Sequence, residues 1–512
     1  MVDNGGMRTD VAIDATERLE PLARLEAALT DPGLDGQVEM TVACTGHDTY
    51  RATAVDGSVT FRRAGHGTGH YSYSVVARSG RDPLADQATD RFSGHAHERD
   101  RRFPSRSDNA YPHAFDSVAQ FFDSPNAPDL VAVHTSHHHF DSHLGQHGSL
   151  GVVQARAPFI AAGAGIVADG FVDRSTRIVD VAPTVATVLG VEAHPAGVGS
   201  DGTRRPGALL RRQDGDPITE VLDGSRAEHA IVFLLDGCNA NLLYDVIESG
   251  EAPNLAALVA RGTAYRHGAM ASLPTATLAN HTTGVTGAHP GHTGVLHNSW
   301  LDLADESVVD LLAMDQMFIA MRHLDPSVET LYQAVERSRP GAFTTATFEF
   351  CDTGASFSSF GLLREGTTPP FPKRDEVPHM DAEQVEASAQ YGFMSMVDHT
   401  SAAHTIAAWE RRDGNPLPTL SWCSLALTDE AGHDSGPHGS AARAAVRDGD
   451  GRVGDVLSAV ERAGALERTA VFLIADHGME QNDPDNTTSW SDAVADTGVA
   501  VTEVGESFFY LR

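Results

Sequence analysis

The chain has 512 residues, ample for a large buried core, and its 41% apolar and 21% charged content is that of an ordinary globular protein. A formal charge of −33 sets it against nucleic acid polymers and anionic membranes, which repel such a surface at long range. No apolar run approaches the roughly 18 residues of a membrane span, and Met1–Gly6 lacks the basic and apolar regions of a secretory signal, so a cytoplasmic protein with no membrane partner is expected.

The first dozen residues read as a disordered tail. Leu19, Leu22, Leu25 and Leu29 recur at helical spacing, which predicts a helix over 15–30. Residues 38–62 alternate β-branched and polar residues around Asp56-Gly57, a hairpin pattern. From Arg63 to Pro112 the chain is rich in Gly, Arg, Asp and His and reads as loop. Leu130–Val133 is a short buried strand entering a loop crowded with His134, His137, His138, His139 and His143; Ala157–Ala162 is another strand. Asp180 and Ala182-Pro183 open a helix within Arg177–Leu189. Gly, Arg, Asp and Pro dominate 195–228, the best linker candidate. Two apolar runs, 230–235 and 470–475, each end at an acid, Asp236 and Asp476. Such runs suit parallel strands buried on both faces, and ligands gather outside the carboxyl ends of such strands. Residues 301–415 carry helical patterns and the Pro-rich stretch Thr367–Pro372, and are expected to include a small cap over a substrate pocket. The four cysteines, Cys44, Cys238, Cys351 and Cys423, form no C-x-x-C pair and read as reduced core residues.

Four short segments concentrate metal-binding chemistry: Leu235-Asp236-Gly237, Leu273–His281, Asp429–His433 and Ala475-Asp476-His477-Gly478. Asp429-x-x-x-His433 puts both side chains on one side of a helical turn or a tight loop. Zinc takes imidazole nitrogen and carboxylate oxygen, and two cations about 4 Å apart can neutralise a phosphoryl group while activating a nucleophile. With Gly432-His433-Asp434-Ser435-Gly436-Pro437 around them, these segments resemble the alkaline phosphatase superfamily, closest to its nucleotide pyrophosphatase/phosphodiesterase branch. In that family a further His, in a Gly-x-His-Gly context, comes last. Here it stands near the front, as Gly145-Gln146-His147-Gly148. Ile178–Thr184 with Leu189-Gly190 likewise resembles the family's closing helix. The resemblance therefore implies a circular permutant. Residues 1–194 would be the family's C-terminal part, 195–228 the linker, and 229–512 the N-terminal part with a cap within about 301–415. Together they would form one α/β catalytic domain with a mostly parallel central sheet flanked by helices. A fusion of two fragments, with His147 matching by chance, is the other interpretation.

Carried over residue by residue, the resemblance implies two divalent metal ions, zinc being expected. Asp236, Asp476, His477 and Thr277 would hold one; Asp429, His433 and His147 would hold the other. The family pattern Thr-x-x-Asn-His fits Thr277–His281 and not Thr275, which is left to support the turn. An Asn that donates to a phosphoryl oxygen follows the family's nucleophile by 21 residues, and position 298 is Asn. The implied activity is hydrolysis of a small phosphodiester or nucleotide pyrophosphate through a phosphothreonine intermediate. Family monoesterases usually place a cation in the pocket, and phosphonoacetate hydrolases hold their substrate with lysines; this chain's one lysine is Lys373. Both remain alternatives on the same site, as does a non-catalytic binding protein. Leu278 stands where nucleotide-active members often have Phe. His281, His289, His292 and His297 read as packing around the nucleophile turn, and the other histidines before His147 as a solvated loop.

Overall fold

Short, mostly apolar runs whose every residue is buried form the innermost strands. The computed structural model describes residues 15–34, 36–92, 98–99, 109–135, 143–367, 372–373, 376–483, 485, 489–505 and 507–512. The expected N-terminal tail and His137, His138 and His139 lie outside them. Helix α1 (Ala15–Leu29) precedes a meander of β1 (Val38–Gly46), β2 (Thr49–Ala54), β3 (Gly57–Ala64) and β4 (Ser72–Gly80), followed by α2 (Ala114–Phe121) and β5 (Leu130–His134). Next come β6 (Phe159–Gly163), β7 (Gly170–Val172), α3 (Val181–Leu189), β8 (His229–Leu235), α4 (Ala240–Glu248), β9 (Gly262–Tyr265) and α5 (Thr277–Thr286). The remainder holds β10 (Thr344–Thr347), β11 (Phe357–Ser358), α6 (Ala389–Trp409), β12 (Leu420–Leu425), α7 (Leu427–Ser435), α8 (Ser440–Arg462), β13 (Thr469–Ile474), β14 (Val501–Val504) and β15 (Phe508–Leu511).

The fold is mixed α/β. An eight-stranded sheet runs in the order β11-β10-β12-β8-β13-β6-β9-β7. From β11 to β13 neighbours are parallel; β6 is antiparallel to both β13 and β9, and β9 pairs parallel with β7. Every residue of β12 and β13 is buried, as are Ala230–Leu235 of β8. Helices α3 and α6 pack on this sheet, and Gly449 of α8 lies against Leu235. A second, seven-stranded sheet is antiparallel throughout, in the order β14-β15-β5-β1-β2-β3-β4. Both sheets combine distant parts of the chain: Phe508 pairs with Val131, and Ile474 with Phe159.

Several expectations change. The stretch 63–112 is not all loop, because β4 pairs along the whole of β3. Its burial pattern is mostly exposed, so it lacks the apolar signal of a buried strand. The 38–62 hairpin is three strands, the Asp56-Gly57 turn joining β2 to β3. Much of 301–415 belongs to the main body: β10 and β11 complete the large sheet and α6 packs against β12. Cys44 is exposed, whereas Cys238, Cys351 and Cys423 are buried, and none is in a disulfide. The 195–228 segment is laid down against the protein. Leu210 and Val221 are buried, and Asp214 accepts the amide of His289 and pairs with His292, whose other ring nitrogen meets Asp123. No helix among the described residues is long and apolar enough to cross a membrane.

Candidate metal centre

Strand register gathers the acids. Leu235 lies opposite Leu425, and Leu234 opposite Ile474, so β8, β12 and β13 end side by side. Asp236 follows β8 directly, Asp476 lies two residues past β13, and Asp429 stands in the first turn of α7, which leaves β12. Gly237 (φ 59°) makes the approach possible: a Cβ there would stand 2.1 Å from Asp429 Oδ1. Thr277 and His281 begin α5, one turn apart on one face.

The structure brings every sequence-predicted ligand into this one place. Nε2 of His147 lies 3.1 Å from Nε2 of His433 and 3.7 Å from Asp429 Oδ1, and Nε2 of His433 is 3.4 Å from Asp429 Oδ2. Nε2 of His477 lies 3.1 Å from Asp476 Oδ2, 3.9 Å from Asp236 Oδ1 and 3.3 Å from Thr277 Oγ1. The ring of His147 stacks on that of His477, with centroids 3.8 Å apart.

Each histidine is oriented by a backbone acceptor for Nδ1: Thr275 O for His147 (2.8 Å), Gly145 O for His433 (2.8 Å) and Gly478 O for His477 (2.9 Å). That fixes the tautomer and turns all three Nε2 atoms inward, the arrangement of metal-binding histidines. Thr275, excluded as nucleophile by its spacing, anchors the His147 loop. Its Oγ1 accepts from Gly148 N and donates to Ser149 O, both at 2.8 Å. Asn298 Oδ1 accepts the Leu278 amide at 3.1 Å, capping the start of α5 and leaving its own amide nitrogen as a donor.

The electrostatics call for cations. Burial, then the like charges of Asp476 and Asp429, push the Asp236 carboxyl well above its usual range. Burial and the neighbouring His477 and His433 hold His147 well below the usual imidazole value, so it is neutral, as a ligand must be. Asp236 Oδ1, Asp429 Oδ1 and Asp476 Oδ2 are shielded from solvent with no hydrogen bond. Among the described residues none of these three carboxylates pairs with an arginine. Donor atoms of His147, Asp429 and His433 lie within 4.8 Å of one another, as do those of Asp236, Asp429 and His477. Three converging carboxylates and three imidazoles with Nε2 turned inward fit divalent metal ions.

A third set, Asp236, His281 and Asp476, meets the same distance limit. The sequence reading set His281 aside as packing, although its spacing from Thr277 was a usable signal. Nδ1 of His281 donates to Glu349 Oε2 at 2.8 Å. Glu349 carried no signal at all, being a lone acid in the stretch expected to hold the cap. Of the other histidines, His289 meets Ser272 and His292 two aspartates, while His297 stays neutral because burial holds its pKa down at about 4.

The model of one protein family, type I phosphodiesterase / nucleotide pyrophosphatase, matches residues 230–511, more than half of the chain. No curated protein matches. Among solved structures, murine ectonucleotide pyrophosphatase / phosphodiesterase 5 is 17% identical, with a TM-score of 0.35, over 50% of this chain and 59% of that one. An inactive variant of it in complex with AMP gives the same values, and the human protein of that name gives 14% and 0.33 over the same shares. The chain thus spans less than two thirds of the length of these proteins. On the strength of the 230–511 match, the chain belongs to the type I phosphodiesterase / nucleotide pyrophosphatase family.

Proposed function

We propose that the protein is a metal-dependent phosphohydrolase that cleaves small phosphodiester or nucleotide pyrophosphate bonds. Asp236, Asp476, His477 and Thr277 would hold one divalent cation, and Asp429, His433 and His147 a second, with zinc suited to this donor set. Bound there, the cations would neutralise phosphoryl oxygens and favour ionisation of the Thr277 hydroxyl. Thr277 Oγ1 forms a bond to phosphorus as the bond to the leaving oxygen breaks, giving a phosphothreonine. Water then cleaves that ester and restores the hydroxyl. Asn298, its oxygen engaged by the Leu278 amide, presents its side-chain nitrogen to a phosphoryl oxygen and favours the charge that develops there.

The observation that carries this reading is the meeting of His147 with His433 at 3.1 Å and with Asp429 at 3.7 Å, across nearly three hundred residues of chain. It also supports a permuted order, in which residues 1–194 supply the family's last ligand and strand β6, and 195–228 joins the former ends; the family match begins at residue 230. On this reading both segments make one catalytic domain. The diester preference rests on the chain's single lysine, Lys373, which is solvent-exposed and so gives no buried lysine for the second charge of a monoester.

The test compares turnover of bis(p-nitrophenyl) phosphate and p-nitrophenyl phosphate by one zinc-loaded preparation, with T277A as control. The expected result is preference for the diester, abolished in T277A. Preference for the monoester would overturn the substrate class, and full activity in T277A would overturn the nucleophile.

A further inference from the structure

We propose that His281, fixed by Glu349, is the residue that positions Asp236 for metal binding, an inference that rests on the two-metal reading above. His281 is 1% exposed and lies one helical turn after Thr277, so α5 delivers both to the same place. Glu349 is fully buried and held from two sides: Ser424 Oγ donates to its Oε2 at 2.9 Å and Cys351 N to its Oε1 at 3.0 Å. With Nδ1 of His281 given to this anchored carboxylate, its Nε2 is aimed between the two acids. It lies 3.7 Å from Asp236 Oδ2 and 4.0 Å from Asp476 Oδ2, is shielded from solvent and has no hydrogen-bond acceptor.

Facing Glu349 at Nδ1 and Asp236 and Asp476 at Nε2, the ring is favoured with both nitrogens protonated, and a buried N–H so placed with nothing else to satisfy it is a hydrogen bond waiting for a small adjustment. The nearer oxygen is Asp236 Oδ2. Once bonded to His281, Asp236 turns its other oxygen, Oδ1, toward His477 Nε2, the side on which a metal would sit. A histidine that merely filled space, against Phe350 for instance, would need no buried acid held in place behind it. The chain Glu349–His281–Asp236 therefore orients a ligand through its hydrogen-bonded neighbour.

The test uses the full chain stripped with a chelator and titrated with zinc against a chromophoric competitor, alongside the melting temperature of the metal-free protein. H281N keeps a donor near Glu349 but cannot reach Asp236; H281L fills the space with no donor and answers the same question should H281N not fold. H281Q places an amide nitrogen near the original Nε2. The expected result is a loss of about 10- to 100-fold in affinity for one zinc equivalent in H281N and H281L, with the other equivalent unchanged and most of the loss recovered in H281Q. Equal loss in all three variants, or wild-type affinity in H281N and H281L, would overturn the inference alone. A wild-type protein that binds no zinc would overturn it together with the two-metal reading.

Discussion

Asp398 is the buried acid on which α7, the helix that carries Asp429 and His433, starts. From α6 its carboxylate accepts the backbone amides of Ala426 (2.6 Å) and Leu427 (3.4 Å), with Arg452 Nη1 3.9 Å away. Burial raises this carboxyl from 3.8 to about 6, against the opposing pull of Arg452 and the two amides. Between these two values the folded protein holds a proton that the unfolded chain has released. The stability contributed is therefore fully present below the unfolded value, is lost as pH rises through about 6, and is flat above. The whole shift amounts to ~3 kcal/mol, of which about 1.4 kcal/mol falls between pH 7.5 and 5.0. D398N has no such titration. Urea unfolding of both proteins, followed by tryptophan fluorescence at pH 7.5, 6.0 and 5.0, gives a difference in which distant titrating groups cancel. Wild type is expected to gain about 1.4 kcal/mol on D398N between pH 7.5 and 5.0. A difference that does not change with pH, or that moves the other way, would refute the reasoning.

Three further outcomes follow from the architecture. Phe159 on β6 is fully buried, 5.1 Å from the Tyr265 ring, so F159A is expected to cost about 3–5 kcal/mol and to shift the unfolding of the whole protein in urea; an early separate transition that alone moves would show residues 1–194 folding on their own. H147A is expected to lower the metal content measured by mass spectrometry from two equivalents to one, and retention of both would remove His147 from the ligand set. N298A is expected to lower kcat by about 10²–10³-fold at little change in KM; a loss in stability without a fall in kcat would leave Asn298 only as the cap on the Leu278 amide.

The parts of this molecule that were legible in its sequence are those whose signal is local. Ala230–Leu235 and Ala470–Ile474 are apolar throughout because both faces are covered, and each runs into its acid without interruption. What the sequence concealed depends on pairing between distant segments. β4 takes its place by pairing with β3 and shows water most of its surface, so no apolar run marks it. The four-residue β10, Thr344–Thr347, is too short to stand out among helical patterns, yet it completes the large sheet. Glu349 gains its meaning from two partners on distant elements, His281 and Ser424, besides the nearby Cys351 amide.

The two threonines of one turn show where spacing is sufficient and where it fails. Spacing to Asn280 and His281 separated Thr277 from Thr275, and Thr277 does face His477. It could not reveal what Thr275 does, because its partners lie more than a hundred residues earlier. With its carbonyl on His147 and its hydroxyl between Gly148 and Ser149, Thr275 ties the histidine loop to the turn that leads to Thr277. His147 in turn sits beside His433, whose Nδ1 is held by the carbonyl of Gly145 in the same loop. The early segment therefore does more than add one imidazole to the site: it orients His433 and is itself oriented by the turn that carries Thr277. Loss of that segment's contacts would misplace groups on three elements at once. That interdependence is what holds side chains from far-separated parts of this chain in one cluster.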